Sequence, residues 1–196
     1  QADVLYEQQL KDIKKYHRRT DSIRVILPLG YEEIHCITLK RNEIEKLKDL
    51  KKMRVAIGAA TQGTAITAGI IKEKTGIEWV DVQVSFDDAV QALFADKIDA
   101  FFFVGSAPVK DLNGFSPTYH ELKLIPIKEK ELKDIYAQTT ISASTYNWLE
   151  KDVETYAVRL LAVTDVSWPR KMKDKDVKKF VNEVQNNISK LQEEGH

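Results

Sequence analysis

The chain has 196 residues, 43% hydrophobic and 31% charged, with Lys plus Arg and Asp plus Glu balanced at 30 each. That length suffices for one large domain or two small lobes with a sizeable core, and the neutral balance lacks the basic bias of nucleic-acid binders. The single cysteine, Cys36, excludes an internal disulfide and a multi-thiolate zinc site.

No apolar run approaches the roughly 18 residues of a membrane span. The chain opens on Gln1 without a Met, and the closing Gly195-His196 resembles the start of a tag, so both ends read as those of a partial chain.

Taken in order, Tyr6, Leu10 and Ile13 make a weak helical stripe near the start. Ile23–Leu29 and Glu33–Leu39 read as two strands, followed by Arg54–Gly58, Trp79–Ser85, Ile98–Gly105, Leu122–Ile127 and Thr155–Thr164. A helix over Ala65–Lys74 follows a glycine turn. A second starts at Ser85, with Asp88 at capping-box spacing and Val90, Leu93 and Phe94 on one face. Val177, Val181, Val184, Ile188 and Leu191 predict one long amphipathic helix at the end. This alternation is the signature of βα units around a largely parallel sheet. The Ile98–Gly105 run, apolar at nearly every position, predicts a strand covered on both faces.

The stretch Arg54–Glu73, RVAIGAATQGTAITAGIIKE, carries a strand into a helix through Gly58 and Gly63 at the spacing of a phosphate-binding loop. At such a site, free backbone N–H groups and the positive end of the helix dipole face outward together. Thr64 stands where a nucleotide-hydrolysing loop has lysine, and Ala65 where it has the magnesium-holding hydroxyl. Alanines after Gly58 also break the dinucleotide-binding pattern. Two readings stay open: a tight turn without a ligand, or a site for a modest anion, with carboxylate favoured.

Catalytic groupings do not emerge. His35 and Cys36 are neighbours on a strand and point to opposite faces, which predicts a core cysteine and an edge or surface histidine. Ser106 in VGSAP lacks the flanking glycines of a nucleophile elbow. The pairs Asp87–Asp88 and Glu32–Glu33 suit helix-start charge or solvation better than acid–base work. No two histidines are spaced as metal ligands.

Several segments, in order, resemble the TAXI-type solute receptors of TRAP transporters. QADVLYE is similar to a Gln-Ser/Ala-Asp-Val segment of that family, and ILPLGYEEIHCITLK to its paired strands. Thr61-Gln62-Gly63-Thr64 stands in place of Gly-Ser-Gly-Thr, within a stretch similar to the entry into the second lobe. DAVQALFADKIDAFFFVGSAPVKDLNGF and STYNWLEKDVETYAVRLLAVT carry the rest of the resemblance, which runs from Gln1 to about Leu191. Two departures stand out: Gln62 replaces a serine, and the family's N-terminal glycine-rich loop and first strands have no counterpart here.

The resemblance implies an α/β, periplasmic-binding-protein-like type II fold, two lobes joined by crossing strands, with the first lobe incomplete. Residues 1–40 would belong to lobe 1 and a crossing strand, 41–150 to lobe 2, and 151–196 to the return strand and a C-terminal helix packing on lobe 1. It further implies an extracytoplasmic receptor, without enzymatic chemistry or cofactor. Such a receptor binds a small carboxylate or acidic amino acid between the lobes and passes it to the membrane subunits of a TRAP transporter. The implied ligand wall is Tyr31, Gly58, Ala59, Thr61, Gln62, Gly63, Thr64, Phe103, Gly105, Ser106 and Tyr146. With part of lobe 1 absent, binding is expected to be weak. The alternatives are an intracellular ligand-sensing domain of the same bilobal fold and, further off, a phosphate-handling enzyme.

Overall fold

The computed structural model describes residues 1–15, 21–60, 62–112, 121–165 and 174–193. Its elements are α1 (Ala2–Lys15), β1 (Ile23–Leu39), β2 (Arg54–Ala56), α2 (Gly63–Thr75), β3 (Val80–Val82) and α3 (Phe86–Phe94). β4 (Ala100–Gly105), β5 (Leu122–Leu124), β6 (Ala137–Ile141), β7 (Val153–Asp165), α4 (Asp174–Asn186) and α5 (Ile188–Glu193) follow. Among the described residues the strands form one sheet in the order β3-β2-β4-β1-β7-β6, with β5 also paired to β1.

The sheet is mixed, where the βα alternation predicts a largely parallel one. β2 pairs in parallel with β3 and β4, the strands linked by helical crossovers. β1 runs antiparallel to β4 and β5, and β6 antiparallel to β7. β1 and β7, the two long strands of 17 and 13 residues, are the ones that carry the antiparallel pairs. β1 is continuous where two strands were expected, carrying Pro28 and Gly30 within it.

Chain contacts separate two compact units, Gln1–Val4 with Tyr31–Arg159, and Leu5–Gly30 with Leu160–His196. The first unit holds two apolar layers, and β4 shows why. Ala100, Phe102 and Val104 point into the layer containing Ile34, Ile71 and Trp79. Phe101 lies in the opposite layer with Ile37, Val90 and Leu93. Alternate side chains thus enter opposite layers, as expected for a strand covered on both faces.

Capping follows the local sequence. Ser85 is the N-cap of α3, its hydroxyl oxygen accepting the Asp88 N–H at 3.2 Å. α2 ends at Gly76 in the left-handed region (φ 67°), whose N–H donates to the Lys72 carbonyl at 2.9 Å.

In the second unit no described residue is fully buried, and Tyr6, Val25, Leu29, Val163, Phe180 and Ile188 are all exposed. The long C-terminal helix of the sequence reading is two helices. The Asn187 side chain donates to the Glu183 carbonyl at 2.8 Å, and its N–H is shared between the Glu183 and Val184 carbonyls, both at 3.2 Å. An asparagine amide competing for backbone acceptors interrupts a helix in this way. Val177, Val181 and Val184 keep the apolar stripe within α4 as its half-buried positions.

Candidate functional site

The glycine turn leaves the end of β2 and opens α2. Gly58 takes φ 82°, a conformation that favours glycine. The next amide, Ala59 N–H, donates to the side-chain Oε1 of Gln62 at 2.9 Å. Gln62, the N-cap residue of α2, therefore folds its amide back over the turn instead of capping the helix. Thr64 is buried, and its hydroxyl oxygen accepts the Val104 N–H at 3.3 Å, tying the helix start to β4. The side chain of Gln1 lies against Gly63, where an added Cβ would come 1.8 Å from its Oε1. Thr61 lies outside the described residues.

Gly58, Gln62 and Thr64 line a depression together with Ser85, Phe86 and Phe103. Its enclosed volume is about 10 Å³, room for about one water, so it is a shallow wall. Two helix N-termini meet there, those of the 13-residue α2 and the 9-residue α3. Each contributes roughly half a positive charge. The apolar side is an aromatic pair, Phe86 and Phe103, with ring centroids 4.8 Å apart. Gly105 leaves room for the Phe103 ring, which a Cβ would approach to 2.7 Å. Sequence reasoning marked Ser85 as a cap but missed its place beside the turn, since the α3 start reaches it only through the parallel pairing of β2 and β3.

The remaining residues of the sequence-derived wall lie elsewhere. Ser106 donates through its hydroxyl to the Tyr31 carbonyl at 3.3 Å, so these two are neighbours. Tyr31 is exposed and carries Arg159 over its ring. Arg54, at the far end of β2 from the turn, forms a two-pronged pair with Asp99, with Nη2–Oδ1 2.7 Å and Nε–Oδ2 3.1 Å. Those bonds hold the Asp99 carboxyl below the usual range.

Tyr146 is 2% exposed and stacks on Trp148 with centroids 5.0 Å apart. Its hydroxyl donates to His35 Nε2 at 2.8 Å and accepts the Val109 N–H at 3.0 Å. This arrangement follows from the other ring nitrogen, since His35 Nδ1 faces the Glu33 carbonyl at 3.0 Å and must carry the proton. His35 is therefore a fully buried core residue, correcting the edge or surface position inferred from the strand. Burial lowers its pKa to about 4, against smaller upward pulls from the Glu33 and Phe103 backbone. Burial likewise pushes the Tyr146 phenol up to about 12. Cys36 is in the core as expected, its thiol pushed up chiefly by burial.

A model of the NMT1-like family matches residues 7–194. Among solved structures, an ancestral arginine-binding protein bound to arginine is 13% identical with a TM-score of 0.53, covering 87% of this chain and 62% of its own. An arginine transport-system periplasmic binding protein from Legionella pneumophila is 15% identical with a TM-score of 0.51, covering 89% and 65%. The substrate-binding protein of an amino acid ABC transporter is 15% identical with a TM-score of 0.47, covering 91% and 61%. This chain thus spans less than two thirds of these neighbours' lengths. The architecture is the mixed α/β fold of type II periplasmic binding proteins. The chain belongs to the NMT1-like family, in agreement with the solute-receptor resemblance carried by its motifs.

Proposed function

We propose that this chain is the ligand-binding part of an extracytoplasmic solute receptor that takes a small organic anion and delivers it to a TRAP-type membrane transporter, without chemistry of its own. The observation that carries the reading is the meeting of two helix N-termini beside Phe86 and Phe103. Backbone N–H groups at such termini suit a carboxylate, and the aromatic pair suits a short apolar body behind it. Thr64 in place of lysine disfavours a nucleoside triphosphate, because in a nucleotide-binding loop that lysine is the residue that reaches the terminal phosphates. Neighbours of this fold include transport-system and amino-acid-binding proteins, which fits the same reading.

The test is thermal unfolding against a panel of mono- and dicarboxylates and acidic amino acids, with Mg-ATP included. A ligand at about 100 times its dissociation constant adds roughly 2.7 kcal/mol. For a chain of this size that is a rise in Tm on the order of 5–10 °C. A shift with one class of carboxylate is expected. A shift with Mg-ATP alone would overturn the receptor reading in favour of a phosphate-handling site.

A further inference from the structure

In the unit built from Gln1–Val4 and Tyr31–Arg159, two charged side chains line the same pocket and have no counter-ion among the described residues. Asp3 is 3% exposed. Its carboxylate accepts the Thr67 hydroxyl at 2.6 Å, the Tyr136 hydroxyl at 3.1 Å and the Val4 N–H at 2.9 Å. All three donors are neutral, and among the described residues no cation pairs with it. Arg159 donates through Nη2 to the Tyr31 hydroxyl at 2.5 Å and lies 5.2 Å from that ring's centroid. Among the described residues no carboxylate pairs with it.

The pocket they share, with Tyr31, Tyr136 and Ala157 in its wall, has a volume of about 170 Å³. At roughly 30 Å³ each, that is space for about six waters. Three neutral donors and the amide end of α1 leave the Asp3 carboxylate acceptor capacity to spare and no full counter-charge. The guanidinium keeps unused donors in a planar fork suited to a carboxylate. Opposite charges that face one pocket without touching each other are complementary to a molecule that carries both.

We propose that this pocket binds a small α-amino acid, with Asp3 receiving its ammonium and Arg159 its carboxylate. The volume suits side chains of the size of glycine or alanine. The inference rests on the reading of the chain as a small-solute receptor and adds to it a site apart from the glycine turn.

Calorimetric titration of the chain with glycine, L-alanine, acetate and methylammonium tests it. Glycine and alanine are expected to bind, with acetate and methylammonium each weaker by about ten-fold or more, because each meets only one of the two charged side chains. Asp3→Asn keeps an acceptor for Thr67 and Tyr136, and Arg159→Gln changes an exposed position. Each is expected to weaken glycine by about ten-fold, with unaltered circular dichroism. If Asp3→Asn fails to fold, Arg159→Gln decides, and unchanged glycine affinity in it overturns the proposal. Acetate binding as tightly as glycine, with both variants indifferent, removes the amino-acid pocket and leaves the carboxylate receptor standing. No heat with any of the four, together with no thermal shift across the acid panel, removes both.

Discussion

His35 and Tyr146, 111 positions apart in sequence, are joined by a 2.8 Å hydrogen bond in the core. Through the Tyr146 hydroxyl the bond extends to the Val109 N–H, so one phenol satisfies two buried groups from distant parts of the chain. Tyr146→Phe removes it and leaves the imidazole nitrogen and that amide without partners. The expected loss is about 1–3 kcal/mol, the cost of unsatisfied buried groups. Urea unfolding measures it, and an unchanged midpoint would show that the bond is dispensable.

The same pair makes stability depend on pH. The folded-state pKa of His35 is about 4, below its ordinary 6.5, so between those values the unfolded chain binds more protons. Its contribution is complete above about pH 6.5 and drains away as the pH falls toward 4. Protonation would also turn Nε2 into a donor facing a phenol that already donates to it. The urea midpoint is expected to fall more steeply between pH 7 and 4.5 in the natural chain than in His35→Gln. Parallel curves for the two would place the acid sensitivity in other groups.

The two glycines of the turn should respond oppositely to alanine. At Gly58 the backbone has φ 82°, and a Cβ would come 2.8 Å from Gln62 Oε1. Gly58→Ala is expected to destabilise by about 1–2 kcal/mol, the usual range for a side chain forced into the left-handed region. Gly63 opens α2, and the three atoms nearest an added Cβ belong to the flexible Gln1 side chain. Gly63→Ala should be neutral or stabilising by up to about 1 kcal/mol, at the expense of moving Gln1. Thermal melts of the two variants decide this, and equal losses would mean that Gln1 is held more firmly than its hydrogen bond to Glu32 implies.

Thr67 and Tyr136 donate to the same oxygen of Asp3. Thr67→Val and Tyr136→Phe should each cost about 1–3 kcal/mol, since a buried carboxylate loses a donor. The double variant is expected to depart from the sum of the two by about 0.5 kcal/mol or more, as residues sharing a partner do. Strict additivity in a double-mutant cycle would argue that the two hydroxyls act on Asp3 independently.

What could be read from the sequence was local. The start of α2 followed from the glycine turn, that of α3 from Ser85 and Asp88, and the double burial of β4 from an unbroken apolar run. β6 was not foreseen, because AQTTI is a largely exposed strand with no apolar alternation to betray it. β1 was divided at Pro28 and Gly30, residues that usually punctuate and here sit inside an extended strand. His35 was misplaced because alternation tells opposite faces apart but does not say that both are covered. The pocket around Asp3 depends on partners 64 and 133 positions away, a proximity that no periodicity in one chain encodes.

Cys36 gives the chain a clock for its own opening. It is the single cysteine, 1% exposed, with a thiol that burial holds in the protonated, unreactive form. A thiol reagent added to the native protein modifies only those molecules whose central strand has become accessible. The labelling rate therefore reports how often the β1 core opens, without denaturant, and its slowing by a bound solute measures how much that solute stabilises the closed sheet.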